Sequence, residues 1–141
     1  MKKRMKDFFV SCAPIAAAVL AAAAIFGSMA PAWAHFQMVY TPEPIVDQGE
    51  DLKLKLIFTH PFDAEHTMDM ATPRGFFVEH RGRRTDLSNG LRTIEWTSLD
   101  NVGIAYEADF RVRTMGDYVF ALEPEPYFEE REDGYIQQFT K

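Results

Sequence analysis

Cysteine is nearly absent from this chain. Cys12 is the single Cys in 141 residues, which excludes a disulfide framework, a zinc ribbon and an iron–sulfur cluster. Positive charge is also scarce: 15 Lys and Arg face 21 Asp and Glu, for a net charge of -6. No basic stripe is available to neutralise phosphates, so a nucleic-acid partner is not expected. Beyond the first 34 residues no long segment repeats apolar residues with a period of 3.6, which argues against helix. No Ser–His–Asp set, Gly-rich phosphate loop or paired carboxylate site is recognisable. The length allows one domain. Aromatics at 13% and charged residues at 26% fit a chain that folds rather than a disordered one.

The first 34 residues read as a cleaved leader. Lys2, Lys3, Arg4 and Lys6 precede an apolar, Ala-rich run over residues 8–27. Ala32 and Ala34 then supply the small residues of an A-x-A cleavage site. The run is long enough to span a bilayer, but the cleavage site and the strand-like sequence after it favour removal. Residues 9–11 make a poor lipobox for Cys12. Cleavage after Ala34 removes four basic residues, Asp7 and Cys12. It leaves an exported, Cys-free domain of 107 residues, 35–141, with 11 basic and 20 acidic residues and a net charge of -9. It also makes His35 the first residue, so an α-amine and an imidazole share one residue. The amine has an ordinary pKa near 7.7–8.0, so a metal can displace its proton at neutral pH.

Residues 35–141 read as short alternating runs separated by turns. Strands are expected over 36–40, 52–58, 75–80, 83–87, 91–98, 104–113, 118–122 and 135–140. In the second, Leu52, Leu54, Leu56 and Phe58 alternate with Lys53, Lys55 and Ile57, a pattern with one buried face. Arg81-Gly82 and Asn89-Gly90 are turn sites, and residues 60–74 and 123–134 are expected loops. The fold expected is an all-β, immunoglobulin-like antiparallel β-sandwich of seven to eight strands. Gly116-Asp117-Tyr118 ahead of an apolar strand has the look of the tyrosine corner of such folds. The last expected strand ends with no closing turn, so a longer parent protein is expected.

Soft and borderline metal donors cluster after the second strand. His60, His66, Met68 and Met70 fall within eleven residues, the last three at i, i+2 and i+4, a spacing that puts extended side chains on one side. In an antiparallel sandwich the start of the first strand and the end of the second share a pole. The loop before the last strand lies at that pole too. His35, His60, His66, Met68, Met70 and the acidic segment 123–134 are therefore expected to converge, with His80 at the opposite pole. Imidazole and thioether suit nickel and copper, and ligand chemistry alone favours copper. A copper carrier, a copper-dependent oxidative enzyme and a purely structural docking domain remain as alternatives. The enzyme reading is disfavoured by the short domain and the lack of an aromatic substrate platform.

AHFQMVYTP at the cleavage site, LKLIFTHPFDAEHTMDM, the FFV strand, RTDL, GDYVFALEPEPYFE and YIQQFTK together resemble the periplasmic accessory component (NikK type) of nickel energy-coupling-factor transporters. That group lies within a wider family of exported β-sandwich domains of unknown function. The resemblance runs across residues 35–141 and is most specific at the His after the cleavage site and at FTHPF. It implies a non-enzymatic periplasmic protein that binds nickel and assists its uptake by the transporter's membrane subunits. It supports His35 and His60 most strongly. Met68 and Met70 match a Met-rich stretch of relatives, and His66 sits where relatives vary. Relatives usually continue beyond the residue matching Lys141, so membrane association is expected only through a partner or a further C-terminal segment.

Overall fold

The computed structural model describes residues 35–60, 66–130 and 133–141, together with Ile15 and Ala18. The chain divides into two compact units, Met1–Trp33 and Ala34–Lys141. Of the first, Ile15 and Ala18 are described, both with helical backbone; the leader assigned to residues 1–34 otherwise lies outside the described residues. Among the described residues no helix is long and apolar enough to cross a membrane.

The second unit is all-β. Its strands are β1 (Phe36–Tyr40), β2 (Asp51–Thr59), β3 (Gly75–His80), β4 (Arg83–Asp86), β5 (Arg92–Thr97), β6 (Val102–Arg111), β7 (Val119–Glu123), β8 (Tyr127–Glu129) and β9 (Gly134–Ile136). They pair antiparallel in sheets of order β1-β2-β6-β5, β4-β3-β7 and β8-β9. The first two orders are the A-B-E-D and C′-C-F orders of an immunoglobulin sandwich. Leu52, Leu54, Leu56 and Phe58 of β2 join Tyr106 and Ala108 of β6 in one buried cluster with Phe76 of β3 and Leu122 of β7. The core therefore lies between the two larger sheets. Alternation along β2 produces this: the four apolar residues are buried while Asp51 and Lys53 face solvent. Ile57 is buried too, so the end of β2 is covered on both faces rather than one.

Two local signals have the geometry their sequence implies. Arg81 and Gly82 both have positive φ, 50° and 72°, and join the His80–Arg83 pair, as a two-residue hairpin of primed type requires. Tyr118, just ahead of β7, donates its hydroxyl to the Thr114 carbonyl at 2.8 Å and accepts from the Thr114 N–H at 3.1 Å. This is the tyrosine corner, and it clamps the β6–β7 connection. A net hydrogen bond of this kind contributes about 1 kcal/mol. Tyr118→Phe is therefore expected to lower the melting temperature by about 4–8 °C, read by thermal denaturation followed by circular dichroism.

The C-terminal third departs from expectation. Segment 123–134 is not only a loop: it contains β8, which Pro124, Pro126 and the surrounding acids concealed. The strand expected over 135–140 is shorter. Residues 134–136 pair with β8, and among the described residues that follow, Thr140 makes the backbone bridge to the main sandwich, at Leu122. That bridge occupies the position beside strand F where strand G runs in immunoglobulin folds.

Candidate metal centre

Register alone brings three His residues to one rim. Thr59, the last residue of β2, pairs with Phe36 of β1 on one side and with Thr67 on the other. His35 precedes Phe36, His60 follows Thr59 and His66 precedes Thr67. All three therefore sit at the ends of adjacent antiparallel segments. Cross-strand partners face the same side of a sheet.

The rings of His35 and His60 meet edge to face, with centroids 5.9 Å apart and planes at 88°. Both residues are partly buried, and the Nδ1 atom of each is shielded from solvent. Phe58 backs the pair, its ring 6.1 Å from that of His35. The His35 backbone is held from the C-terminal segment. Tyr127 donates its hydroxyl to the His35 carbonyl at 3.3 Å, and Gln138 donates its side-chain amide to the same oxygen at 3.2 Å. Thr140 donates to the Gln37 carbonyl at 2.6 Å, and Gln37 donates to the Glu125 carbonyl at 3.2 Å. Tyr127, Gln37, Gln138 and Thr140 are residues the sequence reading did not single out. A Tyr or Gln gives no warning, from spacing, that it will brace another residue's backbone a hundred positions away. Burial pushes the Tyr127 phenol above its ordinary pKa, and the nearby Glu129 carboxylate adds to this, so the phenol stays a donor.

The remaining expected ligands are placed differently. His66 is exposed and its Nδ1 lies 3.3 Å from the Asp100 carboxylate. Met68 packs partly buried against the core, and Met70 is 2% exposed within it. The segment from Thr67 to Met70 wedges between the end of β2 and the start of β6. Met68 N–H donates to the Phe58 carbonyl at 2.8 Å and Met70 N–H to the Ile104 carbonyl at 2.9 Å. Asn101 receives the Thr67 N–H and donates to the Thr67 carbonyl. Gly103 is needed at this seam, because a Cβ there would lie 3.0 Å from the Met68 carbonyl oxygen. The i, i+2, i+4 spacing therefore does not put the three side chains on one exposed face; its outer end, Met70, is core. Pro61 to Glu65, which include Asp63 and Glu65 of the same motif, lie outside the described residues.

The acidic segment converges on this pole, with two of its carboxylates engaged by arginine. Glu125 makes a two-pronged pair with Arg74 at 2.6 and 2.9 Å, and Arg74 holds its carboxyl below the usual carboxylate range. Glu123 lies 3.7 Å from Arg84. Glu132 lies outside the described residues. His80 is at the opposite pole, as expected. It stacks on Tyr118 at 4.0 Å, with Nδ1 2.8 Å from the Asp117 carbonyl and Nε2 2.8 Å from the Thr114 hydroxyl.

Among the described residues no three His, Cys, Asp or Glu side chains form a metal-holding group. An ion at this rim would need the two imidazoles plus donors of another kind. The α-amine that removal of residues 1–34 would place on His35 is one. Two imidazoles bound to one ion at about 2.0–2.1 Å have ring centroids roughly 4.5 Å apart in cis positions and roughly 6.4 Å apart in trans positions. The His35–His60 separation of 5.9 Å lies between those values, so an ion held by both needs a small shift of the rings.

A family model described as "Domain of unknown function (DUF4198)" matches residues 32–141. No curated protein and no solved structure matches the chain.

Proposed function

We propose that this chain, which belongs to the DUF4198 family, is a non-enzymatic periplasmic metal-binding protein that captures nickel and assists its uptake by a membrane transporter. The observation that supports the reading is the His35–His60 ring pair at 5.9 Å on a braced rim. His35 supplies an imidazole and, once residues 1–34 are removed, an α-amine; His60 supplies the second imidazole. His66, exposed on the segment bridged to the end of β2, is the third nitrogen donor of the rim. Met68 and Met70, the other donors read from the sequence, pack against and within the core, so the reading rests on the nitrogen donors. Amine and imidazole nitrogens suit nickel in a tetragonal arrangement. The transporter type, an energy-coupling-factor assembly with an accessory component of this kind, rests on the sequence resemblance.

Copper is the second reading. Divalent copper binds nitrogen donors more tightly than nickel, and thioethers favour the cuprous ion. Calorimetry on secreted protein processed to begin at His35 separates the two. Saturable one-to-one nickel binding is the expected result. Absence of binding to either metal ends the proposal, and affinity confined to copper converts it to a copper carrier.

A further inference from the structure

The pole opposite His35 carries a second surface with its own chemistry. Between the two main sheets, where β3 and β4 approach the end of β6, a groove of about 330 Å³ opens. That volume is at the small end of ligand-binding pockets. Its floor is apolar and aromatic: Val78, Phe110 and Tyr118. Arg83, Arg111 and Arg113 stand around it. Arg111 is partly committed, at 2.7 Å from the Asp51 carboxylate. Arg83 and Arg113 are exposed and make no ion pair among the described residues. In residues 35–141, where acids outnumber bases 20 to 11, three guanidinium groups on one groove are a local reversal of charge. The Tyr118 side of the floor is fixed in place. Its ring lies flat against His80, with the planes 9° apart, and its hydroxyl is tied to Thr114.

We propose that this groove binds a small organic carboxylate with an aromatic or short apolar group. The guanidinium forks of Arg83 and Arg113 receive the carboxylate, a planar bidentate match that a point charge would not give. The apolar part lies on Phe110 and Tyr118. The site is separate from the metal-binding rim, and its test does not depend on metal binding.

Benzoate, acetate and inorganic phosphate are the probes, titrated into the full protein and followed by NMR amide shifts. Benzoate is expected to give saturable shifts around Phe110 and Tyr118, and to bind at least roughly fivefold tighter than acetate or phosphate. R83A/R113A is expected to weaken benzoate roughly tenfold with its melting temperature unchanged, since both side chains point to solvent. Arg83→Lys, which keeps the charge but not the fork, serves where the double variant is unstable, and a several-fold loss is expected there. The proposal is overturned by acetate or phosphate binding as tightly as benzoate, by variants that bind benzoate like the parent, or by shifts that never saturate.

Discussion

His60→Ala in the processed protein is expected to weaken nickel binding roughly a hundredfold or more. Loss of a group that merely orients a metal ligand costs about 10–100-fold, and His60 is proposed as a ligand itself. The fold should tolerate the change, because His60 follows the last residue of β2 and its neighbour Thr59 keeps its pairing to Phe36 and Thr67. The melting temperature without metal should therefore stay within a few degrees of the parent. Metal-dependent stabilisation is the sharper readout. An ion at a hundred times its dissociation constant stabilises the native state by about 2.7 kcal/mol, and that increment should vanish in His60→Ala. His35→Ala should lose the imidazole but keep the amine, and an Nα-acetylated form should lose the amine but keep the imidazole. If both groups bind the ion, each form falls below the parent. Affinity should also fall as pH drops from 8 to 6, since protons then compete with the ion for the amine, whose ordinary pKa is near 8. An acetylated form that binds like the parent would remove the amine from the site. Unchanged affinity in His60→Ala would remove the site.

Much of this was legible in the sequence, for physical reasons that can be assigned residue by residue. The alternation of Leu52, Leu54, Leu56 and Phe58 marks the core face of β2, although the burial of Ile57 on the other face was not legible from it. Arg81-Gly82 and Gly116-Asp117-Tyr118 are short-range signals whose geometry is decided within a few residues, so they were readable without the rest of the fold. The meeting of His35 with His60 needed only the antiparallel return of β1 onto β2. What the sequence concealed depends on contacts between distant segments. Met70 has the same composition and spacing whether it faces a metal or the core. The insertion of Thr67 to Met70 between β2 and β6, set by hydrogen bonds to Phe58 and Ile104, sends it into the core. β8 was hidden because Pro124, Pro126 and a run of acids mark a loop in isolation. Its pairing with β9, and the packing of Tyr127 against Phe58 at 4.7 Å, are tertiary facts. The bracing of the His35 carbonyl by Tyr127 and Gln138 is of the same kind.

Met70 allows its two candidate roles to be separated by one pair of substitutions. Its side chain is buried with Leu54, Leu56, Phe76 and Leu122, so Met70→Ala removes a fully packed thioether chain and leaves a cavity. Such truncations cost about 2–5 kcal/mol. A domain of this size has a total stability of only about 5–15 kcal/mol, so a large part of it, or all of it, would be lost. Met70→Leu keeps volume and apolarity and should cost less than about 1.5 kcal/mol. A ligand role predicts a different order. Both substitutions remove the sulfur, so Met70→Leu would lose metal affinity as completely as Met70→Ala while remaining folded. The structure leads us to expect a Met70→Leu protein with near-parent nickel affinity and a near-parent urea midpoint, and a Met70→Ala protein whose midpoint collapses. Equal nickel affinity in Met70→Leu and the parent would remove Met70 from the donor set and leave Met68 as its one thioether. The argument for nickel over the cuprous ion would then rest mainly on the nitrogen donors, since one of the two soft ligands that favour cuprous copper would be spent on packing.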